Sequence, residues 1–222
     1  MKREYKIIAS VLADNGRYSD ELIQIAAPHV DGFEVDYMDG RFVDRKVMGP
    51  GDVAHLRKLL GPEKYISAHL MAKEPNLKEF ADAGANSIII HKDAFPEIDE
   101  ALAEIKMYGK RAGYALSPSD EDAAILQGYG IIQPEDILFL MGVQPGKSGQ
   151  QLHRIIRPKI KSYRHAFRGD IQIDGGVKHD NIGGLVGAGA NFFTVSSAIF
   201  KPEGNIEENV RKLREAISRV TT

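Results

Sequence analysis

Eight short apolar runs, each followed by an amphipathic stretch, constrain the fold of this chain more than any other feature. The runs are rich in β-branched and aromatic residues and lead into polar or glycine-rich residues, as buried strands do. They are KIIASVL, GFEVDYM, YISAHLM, SIIIHK, RAGYAL, DILFLMG, DIQIDGG and FFTVSSAIF. The stretches that follow them have helical periodicity, and several begin with a capping residue and end at glycine. This alternation predicts an α/β protein with a parallel sheet covered by helices.

The number of repeats narrows the prediction to one architecture. A unit of helix end, AGAN and strand occurs twice, as FADAGANSIII at 80–90 and LVGAGANFFTV at 185–195, which is typical of a repeated βα module. Eight strands match a (β/α)8 TIM barrel, and no linker or change of composition divides residues 1–222 into more than one domain. A doubly wound open sheet is the competing fold, but the GxGxxG fingerprint it often carries is missing after the first strand.

Composition excludes several classes of function. The 29 basic and 31 acidic residues are interspersed, so no basic surface for nucleic acid is expected. The absence of cysteine excludes disulfides and thiol catalysis. No apolar run reaches the length of a membrane span, and the apolar run at the N-terminus is too short for a signal peptide. We therefore expect a cytoplasmic protein with no membrane partner, and a homo-oligomer because barrels of this size often associate.

Chemistry in a barrel lies at the carboxyl ends of the strands, and this chain places reactive residues there. They are Ser10, Glu34, Asp36, Asp39, His69, His91, Met141, Asp174, Ser196 and Ser197. Residues 34 and 36 are two apart and therefore share one face of their strand. Two Asp, one Glu and two His would then converge, and mixed carboxylate and imidazole ligands suit one divalent ion such as Zn, Mn, Co or Fe.

Each of these residues also has a structural interpretation on its own. Asp36 could be a solvated acid at a strand end, and a lone His69 is more often a hydrogen-bonded core residue than a ligand. Asp174 precedes two glycines, which is a common turn signal. Convergence of three strands at one level favours the metal site, since a cation would offset the repulsion between the acids.

Glycine-rich stretches near the last strands suggest an anion site. The segment PGKSGQ lacks the spacing of a P-loop, so nucleotide hydrolysis is not expected. Barrels often bind phosphate with the loops after strands seven and eight, here DGGV and SSAIF. Gly175 and Gly176 could cradle an anion or form only a tight turn. Lys147 could neutralise a phosphate or point into solvent.

Five motifs in this order and spacing resemble the ribulose-phosphate 3-epimerase family. VDYMDGRF, AHLM, MGVQPGKSGQ, QIDGGV and SSAIF correspond to the family's usual HVDVMDGHF, DVHLM, MTVNPGFGGQ, EVDGGV and GSAIF. The resemblance covers nearly the whole chain. It implies a (β/α)8 barrel that interconverts D-ribulose 5-phosphate and D-xylulose 5-phosphate, or a related ketose phosphate, by inverting the carbon next to the ketone.

The resemblance also implies roles for individual residues. Asp36 and Asp174 would exchange the C3 proton on opposite faces of the sugar, and both would hold the metal with His69 and Glu34. A metal-stabilised enediolate would form, and no organic cofactor would be needed. The implied substrate-binding residues are Ser10, Met38, His69, Met71, Met141, Gly146, Lys147, Ser148, Gly149, Gly175, Gly176, Ser196 and Ser197.

Departures from the family pattern leave alternatives open. Glu34 stands where the family has a His ligand, the family's GFGG is GKSG here, and Ser196 replaces a glycine. These changes suggest an altered substrate preference, such as a hexulose 6-phosphate like allulose 6-phosphate. A non-catalytic sugar-phosphate-binding relative is the other alternative. A lysine-dependent decarboxylase is disfavoured, because Met38 stands where the D-x-K-x-x-D pattern requires Lys.

Overall fold

A computed structural model describes residues 3–14, 16–120, 125, 130–146, 150–201 and 205–221. Its strands are β1 (Lys6–Ser10), β2 (Leu12–Ala13), β3 (Gly16–Arg17), β4 (Gly32–Asp39), β5 (Lys46–Val47), β6 (Tyr65–Met71), β7 (Ser87–His91), β8 (Arg111–Leu116), β9 (Ile137–Met141), β10 (Asp170–Asp174) and β11 (Phe192–Val195). All eight predicted strands are among them. The three short strands β2, β3 and β5 were not predicted.

The eight long strands close into a parallel barrel. Hydrogen bonds join them in the order β1, β11, β10, β9, β8, β7, β6 and β4, and β4 pairs with β1 to close the ring. The strand β5 runs antiparallel to the end of β4, and β2 pairs with β3 in a separate hairpin. The predicted (β/α)8 barrel is therefore confirmed, and the carboxyl ends of its strands meet at one mouth.

Helices follow the strands around the outside. They are α1 (Asp20–Ala26), α2 (Pro50–Leu60), α3 (Leu77–Asp82), α4 (Ile98–Met107), α5 (Ile156–Ala166), α6 (Ile182–Ala188), α7 (Ser197–Phe200) and α8 (Ile206–Thr221). Most of the helix predicted over 117–130 lies outside the described residues. The prediction that SSAIF continues the eighth strand was wrong. The chain turns at Ser196, whose carbonyl accepts the backbone N–H groups of Ile199 and Phe200 and so begins α7.

Side chains alternate along each strand, so the strand residues form two sets that face opposite sides of the sheet. One set of strand residues, including Val35 and Ile90, packs outward against the helices, and Tyr37 contacts Phe80 of α3 at 5.2 Å between ring centroids. The other set points into the barrel. On the β7, β8 and β9 side this inner set is mostly apolar and includes Ile89, Ala115, Ile137, Phe139 and Met141, with Ser87 and His91 of β7 as its buried polar members. On the β4, β6, β10 and β11 side it is polar and includes Glu34, Asp36, Ser67, His69, Gln172 and Thr194, all buried.

The repeated AGAN unit makes the same contacts at both of its positions. The side-chain oxygen of Asn86 accepts the backbone N–H of Ile66 at 2.8 Å, and that of Asn191 accepts the N–H of Ile171 at 3.0 Å. Arg57 from α2 donates to the carbonyl of Gly84. Arg164 from α5 donates to the carbonyl of Gly189. The sequence repeat is therefore a structural repeat that ties a helix to the amino ends of β6 and β10.

Candidate active site

Three strands bring four ligand-type side chains together at the mouth. Glu34 and Asp36 come from β4, His69 from β6 and Asp174 from β10. Asp36 pairs with His69 in the β4–β6 register, so these two side chains lie at the same level on adjacent strands. Each of the four residues offers one nitrogen or oxygen atom, and these atoms all lie within 4.8 Å of one another.

Asp36 lies at the centre of this cluster. Its Oδ1 is 3.0 Å from His69 Nδ1, and its Oδ2 accepts a hydrogen bond of 2.7 Å from the Ser10 hydroxyl. Asp174 Oδ2 is 3.8 Å from the same His69 nitrogen. The side chains of Asp36 and His69 are buried, whereas that of Asp174 is 16% exposed. The two aspartates therefore approach one imidazole nitrogen, and Asp174 is the more accessible of the two.

Glu34 lies deeper than the aspartates and is fully buried. Its Oε2 accepts a hydrogen bond of 2.9 Å from Gln172 Nε2. Its Oε1 has no hydrogen-bond partner among the described residues. Burial raises the pKa of Glu34 well above its ordinary value, and the negative charges of Asp36 and Asp174 raise it further.

The negative charges of the three acids allow a test of whether the site suits a cation. Burial and then the charge of Asp36 also raise the pKa of Asp174, so protein groups alone oppose full ionisation of the three acids. A divalent cation would favour the ionised forms and would supply the partner that Glu34 Oε1 lacks. Carboxylate and imidazole donors are ligands for Zn, Mn, Co and Fe. The residues present fit such an ion, held by Glu34, Asp36, His69 and Asp174.

His91 does not belong to the cluster, which corrects the expectation that two histidines converge there. His69 pairs with Ile89, so His91 lies two residues further along β7. Its Nε2 is 2.9 Å from His69 Nε2, on the side of the ring opposite the aspartates. Burial, with a smaller contribution from His69, lowers the pKa of His91 well below its ordinary value. His91 is therefore a neutral neighbour that contacts the far nitrogen of His69.

Asp39 is also separate from the cluster, although it ends the same strand as Glu34 and Asp36. Its odd position turns it to the other face of β4. Its carboxylate accepts the backbone N–H groups of Arg41, Phe42 and Lys73 at 2.8, 2.9 and 2.9 Å. Burial opposes ionisation of Asp39, but these donors outweigh it and hold the pKa well below its usual range. Asp39 therefore organises the turn after β4.

A cleft opens above the cluster. Of the predicted substrate-binding residues, it is lined by Ser10, Met38, Met71, Met141, Gly146, Gly175, Gly176, Ser196 and Ser197. Both Asp36 and Asp174 also line it, while His69 lies beneath. The predicted residues Lys147, Ser148 and Gly149 lie outside the described part of the chain.

Two glycines in the wall of this cleft are required by the backbone. Gly175 and Gly176 have φ angles of +96° and +72°, which residues with a Cβ rarely adopt. A Cβ on Gly175 would lie 2.4 Å from Val143 Cγ2, and one on Gly176 would lie 2.5 Å from the backbone nitrogen of Leu152. The glycine main chain packs closely here, against the Val143 side chain at Gly175 and against the Leu152 main chain at Gly176.

Ser196 also lines the cleft, at the position of the glycine in the GSAIF motif quoted above. Its hydroxyl donates a 3.0 Å hydrogen bond to the carbonyl of Leu12 in the β2–β3 hairpin. The serine side chain therefore connects the start of α7 to that hairpin, and its hydroxyl proton is already engaged by the protein.

Sequence reasoning missed several residues of the site. The cleft is also lined by Leu12, Val143, Gln150, Val177 and Thr194. Gln172 and Thr194 form a hydrogen bond of 2.8 Å beneath the aspartates. The alternation of side chains along a strand could have identified both, since Gln172 precedes Asp174 by two residues and Thr194 precedes Ser196 by two.

Fold and site together define a (β/α)8 barrel with a cluster of acids and one histidine at its mouth that could hold a metal ion, and comparison with known proteins identifies its class. Residues 6–200 match the Ribulose-phosphate 3 epimerase family. The ribulose-phosphate 3-epimerase of Synechocystis is 35% identical over 211 residues, covering 90% of this chain and 89% of that protein. That of Escherichia coli K12 is 30% identical and covers 99% of both chains. The chain belongs to the ribulose-phosphate 3-epimerase family and is a carbohydrate epimerase, an isomerase.

Solved structures support the fold independently. A crystal structure of 3-hexulose-6-phosphate synthase superimposes with a TM-score of 0.67, covering 96% of this chain and 99% of the other at 19% identity. At this identity the likeness shows the barrel architecture alone. In the described part of the chain, no helix combines the length and the apolar character needed to cross a membrane.

Proposed function

We propose that this chain interconverts D-ribulose 5-phosphate and D-xylulose 5-phosphate by moving the C3 proton between two carboxylates. The observation that carries the proposal is the approach of Asp36 and Asp174 to one nitrogen of His69, at 3.0 and 3.8 Å, in the wall of the same cleft. Two acids of the same type suit a reaction that runs in both directions, because each can act as base in one direction and acid in the other.

The surrounding residues support this assignment of roles. The Ser10 hydroxyl donates to Asp36 Oδ2 and keeps that carboxylate in one orientation. Met38, Met71 and Met141 provide adaptable apolar walls around the sugar. The glycine turn at Gly175 and Gly176, with Ser197 beside it in the cleft, is where the phosphate would bind through backbone N–H groups.

A divalent ion bound by Glu34, Asp36, His69 and Asp174 would stabilise the negative charge that develops on the substrate oxygens during proton removal. The other steps are carried out by side chains of the protein. Asp36 and Asp174 hold and return the proton, and the buried walls exclude water from the base of the cleft. The acids form one group at the mouth, which supports catalysis over the alternative of a non-catalytic sugar-phosphate-binding relative.

Exchange of the C3 proton with solvent tests the two-carboxylate scheme. We expect Asp36→Asn and Asp174→Asn each to lower turnover of ribulose 5-phosphate in D2O by at least about 100-fold, the usual contribution of a positioned acid or base. Deuterium at C3 is followed by NMR, and bound metal is measured in each variant. Asp82→Asn, an exposed change on α3, is the matched control and should leave turnover unchanged.

The outcomes separate the chemistry from the substrate. Near-normal turnover in either aspartate variant contradicts the scheme. A wild-type protein that binds metal but exchanges only a hexulose 6-phosphate would retain the mechanism and reassign the substrate. A wild-type protein with neither metal nor exchange would favour the binding-protein alternative.

A further inference from the structure

Gln172 contacts Glu34 of the cluster formed by Glu34, Asp36, His69 and Asp174, on the side away from the mouth of the barrel. It has no part in the proton transfer proposed above. It lies inside the barrel on β10 and is fully buried. Its side-chain amide donates to Glu34 Oε2 at 2.9 Å and to Thr194 Oγ1 at 2.8 Å. Since an amide nitrogen has two protons, these contacts use both donors and hold the amide in one orientation.

The same contact joins two positions at which this chain departs from the family motifs quoted above. Those motifs have His at position 34 and Glu at position 172, whereas this chain has Glu34 and Gln172. In either arrangement the two positions carry one carboxylate between them. The formal negative charge has therefore been moved from one position to the other, and the total has not increased.

Physical chemistry disfavours a glutamate at position 172 when position 34 is also a glutamate. Glutamate at 172 would place a second carboxylate about where the amide now is, 2.9 Å from Glu34 Oε2, and two carboxylates at that distance repel. Glutamine at 172 supplies a donor to Glu34. It engages Oε2 and leaves Oε1, which has no partner among the described residues, available to a cation.

We propose that Gln172 is a positioning residue for Glu34 and that the two form a matched pair that allows a carboxylate to replace an imidazole in the cation site. This inference rests on the proposed function in one respect, that the cluster binds a divalent cation. It explains how the site accommodates Glu34 without an additional net charge.

Cation affinity of the purified full-length protein tests the pair directly. The cation-free protein is titrated with Co2+, followed by visible absorption, for wild type, Gln172→Met, Glu34→His and the double variant Glu34→His/Gln172→Glu. We expect each single change to weaken Co2+ binding about 10–100-fold, as is typical when the partner of a ligand is lost. The double variant should return close to the wild-type affinity. Gln133→Met is the matched control, because Gln133 is exposed and its side-chain amide donates locally to the carbonyl of Gly130.

Several results would overturn the pairing. It is wrong if Gln172→Met or Glu34→His binds Co2+ as tightly as wild type, or if the double variant binds no better than Glu34→His. A double variant that does not fold also contradicts it, because a matched pair must fit the same space. These failures leave the proposed function intact where wild type binds Co2+ and exchanges C3 deuterium. Absence of Co2+ binding in wild type would overturn both proposals.

Discussion

Three carboxylates within one short motif have different environments, and the parity of their positions decides which environment each one has. Glu34 and Asp36 point into the barrel, where Asp36 contacts His69. Asp39 points to the opposite face, where its carboxylate accepts three backbone N–H groups and the side chain of Arg41. The repulsion expected between neighbouring acids is thereby reduced for Asp39, and the cluster at the mouth receives two acids from β4 rather than three.

The role of Asp39 predicts a pH-dependent contribution to stability. Because the fold lowers its pKa, Asp39 stabilises the protein above its unfolded pKa of about 3.9, and this contribution is lost as the pH falls below that value. We expect Asp39→Asn to lower the free energy of unfolding at pH 7 by about 1.5–3 kcal/mol, the usual value of hydrogen bonds to a charged group. Urea unfolding at pH 7 and pH 3 measures the difference.

The control for this prediction is Asp82→Asn, which lies on an exposed helix face and should change stability by less than about 0.5 kcal/mol. A deficit for Asp39→Asn that is the same at pH 7 and pH 3 would show that its ionisation contributes nothing. The interpretation requires that the difference in unfolding free energy between wild type and Asp39→Asn is smaller at pH 3 than at pH 7.

At the scale of elements, the AGAN unit shows how one local sequence is used twice to connect a helix to a strand. Asn86 and Asn191 each accept the N–H of the second residue of a barrel strand, Ile66 or Ile171. Arg57 and Arg164 satisfy the neighbouring glycine carbonyls. Groups that would otherwise lack partners at the amino end of the barrel are therefore bonded by the same side chains in both units.

This repeat predicts that removing either asparagine side chain lowers stability, by different amounts at the two positions. Replacing either asparagine with Ala leaves a buried strand N–H without its acceptor, which costs about 1–3 kcal/mol. We expect Asn191→Ala to be the more destabilising, because Asn191 is 1% exposed whereas Asn86 is on the surface, where water can replace it. Chemical denaturation of both variants, with exposed Asn76→Ala as the control, checks the order. Equal or negligible losses would show that the side chains are not the main support of these strands.

At the scale of the whole molecule, the barrel interior is divided into a mostly apolar side and a polar side. Ile89, Ala115 and Phe139 fill the part lined by β7, β8 and β9. Glu34, Asp36 and Gln172 occupy the opposite part and stay buried. Apolar packing on one side supplies stability, and the acids on the other side oppose it unless a cation compensates their charge.

This division predicts that the cation contributes to the stability of the fold. Removing divalent ions with a chelator should lower the thermal unfolding midpoint, and adding Mn2+ should raise it again. An ion at 100 times its dissociation constant stabilises the native state by about 2.7 kcal/mol. Calorimetry of wild type with and without Mn2+ measures the shift. His69→Ala, which lacks one ligand, should respond less, and an equal response in both proteins would place the stabilising ion elsewhere.

Much of the fold follows from local sequence alone. A strand or helix depends on periodicity within about ten residues, so runs such as SIIIHK and RAGYAL identify barrel strands without any distant information. The count of eight then identifies the barrel, and parity identifies Glu34, Asp36 and His69 as inward-facing residues at the mouth. The short strands β2, β3 and β5 were not predicted, because each is two residues long and too short to show a period.

Contacts between distant strands required the tertiary structure. Gln172 and Glu34 are 138 positions apart, and only the register of the closed barrel brings the amide onto the carboxylate. Register also places His91 behind His69 instead of beside the aspartates. Local sequence determines which way each side chain points from its own strand. The pairing of strands determines which side chains meet, because barrel closure and packing of all eight strands set the relative level of each one.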